Sequence, residues 1–173
     1  MKTGALAGSL LSYAAVVSLC SASVAHAAAD AATFDTRSLT PETALTAARA
    51  AMASCRAAGY QVAVAVVDRA GLAQVLVRDR FAGAHTIDVA LNKAWTAASF
   101  RQPTSTLAAE TQAGKAMSGL RNIPRFAGIA GGLVIEGGGV TLGAIGVSGA
   151  PGGDADDACA SAGIKAIADS IEF

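Results

Sequence analysis

Residues 61–79 decide the fold: Gln61-Val62-Ala63-Val64-Ala65-Val66-Val67-Asp68-Arg69-Ala70-Gly71-Leu72-Ala73-Gln74-Val75-Leu76-Val77-Arg78-Asp79. Valines at 62, 64 and 66 alternate with alanines at 63 and 65, the period-two pattern of a strand whose two faces differ. Arg69-Ala70-Gly71 breaks the run, and residues 72–79 resume it as a second strand. The segment is therefore a hairpin.

Working outward, the segment before it is a helix. Thr40-Pro41-Glu42 supplies a hydroxyl cap, a proline for the first helical position and an acid at the positive end of the dipole. Leu45, Ala48, Met52 and Cys55 then share one helical face, and Gly59 stops the run. After the hairpin, Thr86 is expected to cap a second helix reaching about Phe100. Its apolar side reads as Ile87, Leu91, Ala94, Trp95 and Ala98, with Asp88 in the first turn. Thr104 or Ser105 opens a shorter helix through Gln112, and residues 114–129 have no clean period and read as a long loop. Residues 131–136 and 140–148 flank Gly137-Gly138-Gly139 as a second hairpin. A last helix runs from Gly153 to about Ile171, with Ala158 or Cys159, Ala162, Ala166 and Ile167 turned inward.

Helix, hairpin, helices, hairpin, helix predicts an α+β fold, a central antiparallel sheet flanked by helices. Cys55 on the first helix and Cys159 on the last both lie towards the apolar side. If those helices lie side by side on one sheet face, the two sulfurs meet in a disulfide. The alternative is a pair of buried thiols acting as small hydrophobes. Such a bridge is permitted in an oxidising compartment.

The start of the chain points to one. Met1-Lys2 is a short positive start, residues 5–19 are apolar, and Ala25-His26-Ala27 fits the small-x-small site of a signal peptidase. Residues 1–27 are thus expected to be an export signal, 28–37 a flexible lead-in and 38–173 the domain, in the periplasm or secreted. Cys20 ends the apolar run, but Leu19 stands where a lipoprotein signal wants a smaller residue. The run is too short to span a bilayer comfortably, so no stable membrane insertion is expected after cleavage.

Of the 173 residues 53% are hydrophobic and 15% charged, which excludes wholesale disorder. Alanine makes up about a quarter of the chain, so that apolar share buries little area per residue. Lys+Arg and Asp+Glu both number 13, leaving no basic excess to neutralise nucleic-acid phosphates.

Most chemical motifs fail on spacing. Gly114-Lys115 lacks the Ser/Thr and the upstream glycine of a phosphate loop. Gly146-Val147-Ser148-Gly149 has its second glycine one residue too early for a nucleophile elbow. The cysteine count and spacing do not match a zinc site. Residues 149–153 lead into a helix N-terminus, where backbone N–H groups can hold an anion. Asp154, Asp156 and Asp157 crowd that end, so helix capping is the better reading and a phosphate is disfavoured.

With His26 removed in the signal, His85 is the one remaining imidazole, on a loop before the second helix. It reads as a structural loop residue, a haem-iron ligand or an acid–base group. Lys93 by itself reads as a solvated lysine, and Trp95 as core.

Three strings carry a resemblance when taken together. They are Val64-Ala65-Val66-Val67-Asp68-Arg69-Ala70-Gly71, His85-Thr86 followed by Lys93-Ala94-Trp95-Thr96-Ala97, and Gly143-Ala144-Ile145-Gly146-Val147-Ser148-Gly149. In that order the chain resembles the GlcG/HbpS family of haem-binding proteins from Leu39 to Ile171. One departure is Val134, where the family's Gly-Gly-x-Pro pattern has proline. The resemblance implies a homo-oligomer and extracytoplasmic binding of haem, or of another flat small molecule, for haem or iron scavenging or sensing. It implies His85 as the metal ligand, with Thr86 a weaker oxygen alternative. By residue type, Met117 offers a thioether, Arg121, Arg125 or Lys93 can meet the propionates, and Phe81, Trp95 and Phe126 offer apolar contacts. Two other readings stay open: a lyase of aromatic hydroxylamines using His85 and Lys93, and a non-catalytic interaction module.

Overall fold

The computed structural model describes Met1 and residues 32–172. The expected signal lies outside the described residues apart from Met1, as does the lead-in up to residue 31. The chain divides into Met1–Phe34 and Asp35–Phe173, and the second unit carries everything that follows.

Its elements are α1 (Pro41–Ala57), β1 (Ala63–Asp68), β2 (Ala73–Arg78), α2 (Thr86–Phe100), α3 (Thr104–Glu110), β3 (Gly132–Gly137), β4 (Val140–Ser148), α4 (Gly153–Lys165) and α5 (Ala168–Ile171). The four strands form one antiparallel sheet in the order β2-β1-β4-β3, so the two hairpins join through β1 and β4. This is the expected α+β architecture. Thr40 caps α1, its hydroxyl accepting from the Thr43 N–H. In the β1–β2 turn the Asp68 carboxylate accepts from the Ala70 and Leu72 N–H groups, each at 2.9 Å. The β3–β4 turn places Gly138 and Gly139 at φ +55° and +77°, which side-chain-bearing residues rarely adopt.

The two faces of β1 sort the helices. Val62, Val64 and Val66 join Ala44, Ala48, Ala51 and Met52 of α1 and Ala160 of α4 in the main core. Ala63, Ala65 and Val67 pack instead with Ala90, Ala94 and Ala97 of α2. The alanine face lets α2 come close. A Cβ on Gly146, in the middle of β4, would collide with the Ala90 carbonyl oxygen and stand 2.6 Å from the Ala94 nitrogen. On the other face, α1 and α4 lie side by side, and a Cβ on Gly163 would stand 2.7 Å from the Ala47 oxygen. The Cys55 and Cys159 sulfurs are bonded across this pair of helices, with Cα atoms 5.5 Å apart.

Several local expectations are corrected. His85, not Thr86, stands at the capping position of α2, and no side chain caps that helix. Pro103 precedes α3 in place of a hydroxyl cap, and α3 ends at Glu110 rather than Gln112. The last helix breaks after Lys165, and Ala158 and Ala166 are exposed while Cys159 and Ile167 are buried. The buried residues of α2 are Thr86, Ala90, Lys93, Ala94, Thr96, Ala97 and Ala98, which include Ala94 and Ala98 of the expected stripe. Ile87, Leu91 and Trp95 are half-buried at its margin. Hydrophobicity placed that stripe only in part because three of the seven buried residues are Thr or Lys. The loop of residues 114–129 contains a short 3-10 helix, Ser118–Asn122.

Candidate functional site

Three connections meet at one end of the sheet, where β1 begins and β2 and β4 end: residues 59–61, 81–86 and 148–153. Together with Ile129 they enclose a cleft of about 630 Å³, within the size range of small-molecule and cofactor sites. Phe81 and Ile129 expose large apolar side chains at this cleft. His85 is exposed there too. Its ring lies over Gly83, where a Cβ would stand 2.7 Å from Cε1 and 2.9 Å from Nδ1. Only a residue without a side chain at position 83 leaves the imidazole where it is. Thr86 also lines the cleft, but it is buried and its hydroxyl donates to the Gly83 carbonyl at 2.6 Å.

The inner end of the cleft is polar. Lys93 is 1% exposed, and its ammonium donates to Asp156 Oδ2 at 2.7 Å and to the Val147 carbonyl at 2.9 Å. The solvated lysine expected from residue type is therefore a buried ion pair. A lysine at i+7 from Thr86 and i+3 from Ala90 falls on the inward stripe, where an unpaired charge is too costly to bury. Gly131 closes over the pair, since a Cβ there would stand 2.6 Å from Nζ. Burial pushes the Asp156 carboxyl above its ordinary range, against the pull of Lys93 and of the Ala150 N–H that Oδ1 accepts.

The acids read as helix caps do other work. No side chain caps α4, whose capping position is Gly152. Asp156 serves Lys93 and Ala150, Asp157 accepts the Gly131 N–H at 2.6 Å, and Asp154 is exposed. Neither Asp156 as the lysine's partner nor Ser148 as a cleft residue was legible locally. Only the position of Lys93 on the stripe called for a buried acid.

Of the residues grouped by chemistry, His85, Thr86, Lys93 and Phe81 line this cleft. Met117, Arg121 and Arg125 do not, within one chain. Arg121 donates to the Thr111 and Ala108 carbonyls at the end of α3. Arg125 lies over the Trp95 ring at 5.1 Å, and Phe126 packs edge-on to Phe100. Met117 is exposed beside the 3-10 helix, on a separate hollow. Among the described residues no cluster of three or more His, Cys, Asp or Glu is placed to hold a metal ion.

A four-stranded antiparallel sheet with helices on both faces and an amphipathic cleft at its end defines a small α+β domain with a cleft of ligand size. The comparisons sharpen this. The chain belongs to the HbpS-like family, described as "Haem degrading protein HbpS-like", whose model matches residues 39–165. It is similar to the crystal structure of a double mutant of Streptomyces reticuli HbpS, at 40% identity and TM-score 0.72, covering 77% of this chain and 89% of that one. Klebsiella pneumoniae protein ORFY superposes at TM-score 0.76 with 28% identity, over 79% of this chain and 94% of that one. A PduOC–haem complex superposes at TM-score 0.71 with 28% identity, over 75% and 95%. No curated protein matches the chain.

Proposed function

We propose that the chain is an exported haem-binding protein, serving haem or iron scavenging or sensing, with the porphyrin in the cleft between residues 81–86 and 148–153. The observation that carries this reading is His85, the only imidazole outside the expected signal, exposed at the cleft beside Phe81. The residues fit such a group. His85 would hold the iron, Phe81 and Ile129 would cover apolar porphyrin edge, and the hydroxyl of Thr86 is already committed to Gly83. Haem would supply redox-active iron; the protein contributes the ligand, the apolar slot and control of access. Family membership supports the reading, as does the relative crystallised with haem.

The bond between Cys55 and Cys159 supports export, because disulfides persist in oxidising compartments. Leu72 and Leu76, exposed on or beside the edge strand β2, support self-association into a homo-oligomer. The lyase reading needs Lys93 as a free acid–base group, and its engagement with Asp156 counts against that.

Titration of the purified protein with hemin tests the proposal. A saturable Soret shift is expected, lost in His85→Ala. Identical weak titrations of both proteins would remove His85 as the ligand. N-terminal sequencing of secreted protein is expected to begin at Ala28.

A further inference from the structure

The inner end of the cleft holds donors that nothing in the protein uses. Ser148 is 6% exposed, lines the cleft, and its hydroxyl has no hydrogen-bond partner among the described residues. It lies on the α2 side of the sheet, since its register partner Ala63 faces α2. An ammonium has three protons, and Lys93 places two, on Asp156 and on the Val147 carbonyl. The α4 helix begins at Gly153, also in the cleft wall, with no side-chain cap; the Gly152 carbonyl accepts the Ala155 and Asp156 N–H groups, and those of Gly153 and Asp154 have no acceptor among the described residues. A buried hydroxyl, a buried ammonium and an open helix N-terminus thus converge on one pocket end.

From this convergence we propose that the inner end of the cleft is a carboxylate subsite. Ser148 Oγ and the N–H groups of Gly153 and Asp154 would donate to the ligand's carboxylate, and Lys93 would supply the neighbouring positive charge. The nearby acids set its selectivity. Lys93 balances Asp156, Asp157 is engaged by Gly131, and Asp154 points to solvent, so a single negative charge is tolerated. A phosphate dianion would meet Asp154 and Asp157 with twice the charge and fewer unclaimed donors per oxygen.

Two sources can bring this group: a propionate of haem, which rests on the haem reading above, or a free aromatic acid. Three probes separate them, all on the full chain: hemin, hemin dimethyl ester, in which both propionates are masked, and benzoate followed by calorimetry. The wild type is expected to prefer hemin over its ester by about tenfold, one charge-assisted hydrogen bond's worth. Ser148→Ala should bring that ratio close to one. This substitution removes one oxygen and leaves the ion pair intact, so the melting temperature serves as its folding control. Equal affinity for hemin and ester in the wild type, or an unchanged ratio in Ser148→Ala, overturns the subsite while leaving haem binding standing. If neither porphyrin binds, the haem reading falls and benzoate decides. Binding weakened by Ser148→Ala keeps the subsite for a free acid, and no binding, or binding that ignores Ser148, removes it.

Discussion

On one face of the sheet, Val62, Val64 and Val66 fill the space under α1 and α4, which are clamped by Cys55–Cys159. On the other, Ala63 and Ala65 leave so little space that α2 rests almost on the β4 backbone at Gly146. The first face is a core of side-chain volume and ends in contacts between apolar groups. The second gains its contact from backbone proximity, and its stripe continues past the alanines into Lys93 and Thr86, which open onto the cleft. Apolar side-chain volume and close backbone packing are thus set on opposite sides of the same strand. A thin face brings a helix N-terminus, a buried lysine and a strand end within reach of one small molecule, which a thick valine layer would hold apart.

Four measurements break or sharpen this division. The largest effect is expected from Gly146→Val, which drives a branched side chain into the α2 backbone. It should cost about 3 kcal/mol or more and leave no cooperative melt by circular dichroism. A normal melt would mean that α2 does not rest on β4. On the valine face, Cys55→Ala with Cys159→Ala opens a link of sequence separation 104 and should cost about 4 kcal/mol at most in urea unfolding. Hemin affinity should stay unchanged, because neither cysteine lines the cleft.

Lys93→Met leaves Asp156 buried without its partner and should cost about 3 kcal/mol. Replacing both, as Lys93→Met with Asp156→Leu, should recover most of that loss. Equal loss in the single and double variants would mean that the pair matters for its shape and not for its charge.

The smallest effects are in pH dependence, where the two ion pairs have opposite signs. Two hydrogen bonds from Arg56 hold the Asp79 carboxyl below its ordinary range. Its contribution is present above the unfolded-state value and lost as pH falls through the lowered folded-state value. Burial raises Asp156, so its ionisation costs stability as pH rises through the raised value. Asp79→Asn should flatten the acid side of a stability–pH curve. Asp156→Asn should flatten the side where stability falls with rising pH. Parallel changes in the two variants would contradict the assigned directions.

Much of the fold was legible because its signals are local. Alternation of valine and alanine in residues 61–67 names a strand with two unlike faces, and Thr40-Pro41 names a helix start. The α2 stripe was placed only in part because its inward positions include Thr86, Thr96 and Lys93, and the burial of Lys93 depends on Val147 and Asp156, 54 and 63 positions away. His85 was legible as the remaining imidazole. Ser148 was dismissed with a failed motif, and Asp156 was read as a helix cap.

By itself, then, the sequence determined the elements, the antiparallel sheet and the family, since short-range periodicity and turn chemistry are written in neighbouring residues. The tertiary structure decided which charges are buried and which donors stay free. Lys93 and Asp156 are 63 positions apart, and only the closeness of α2 to the alanine face brings them within 2.7 Å. Arg121 and Arg125 are held elsewhere, at the end of α3 and over the Trp95 ring, and Ser148 lines the cleft with no side-chain partner among the described residues.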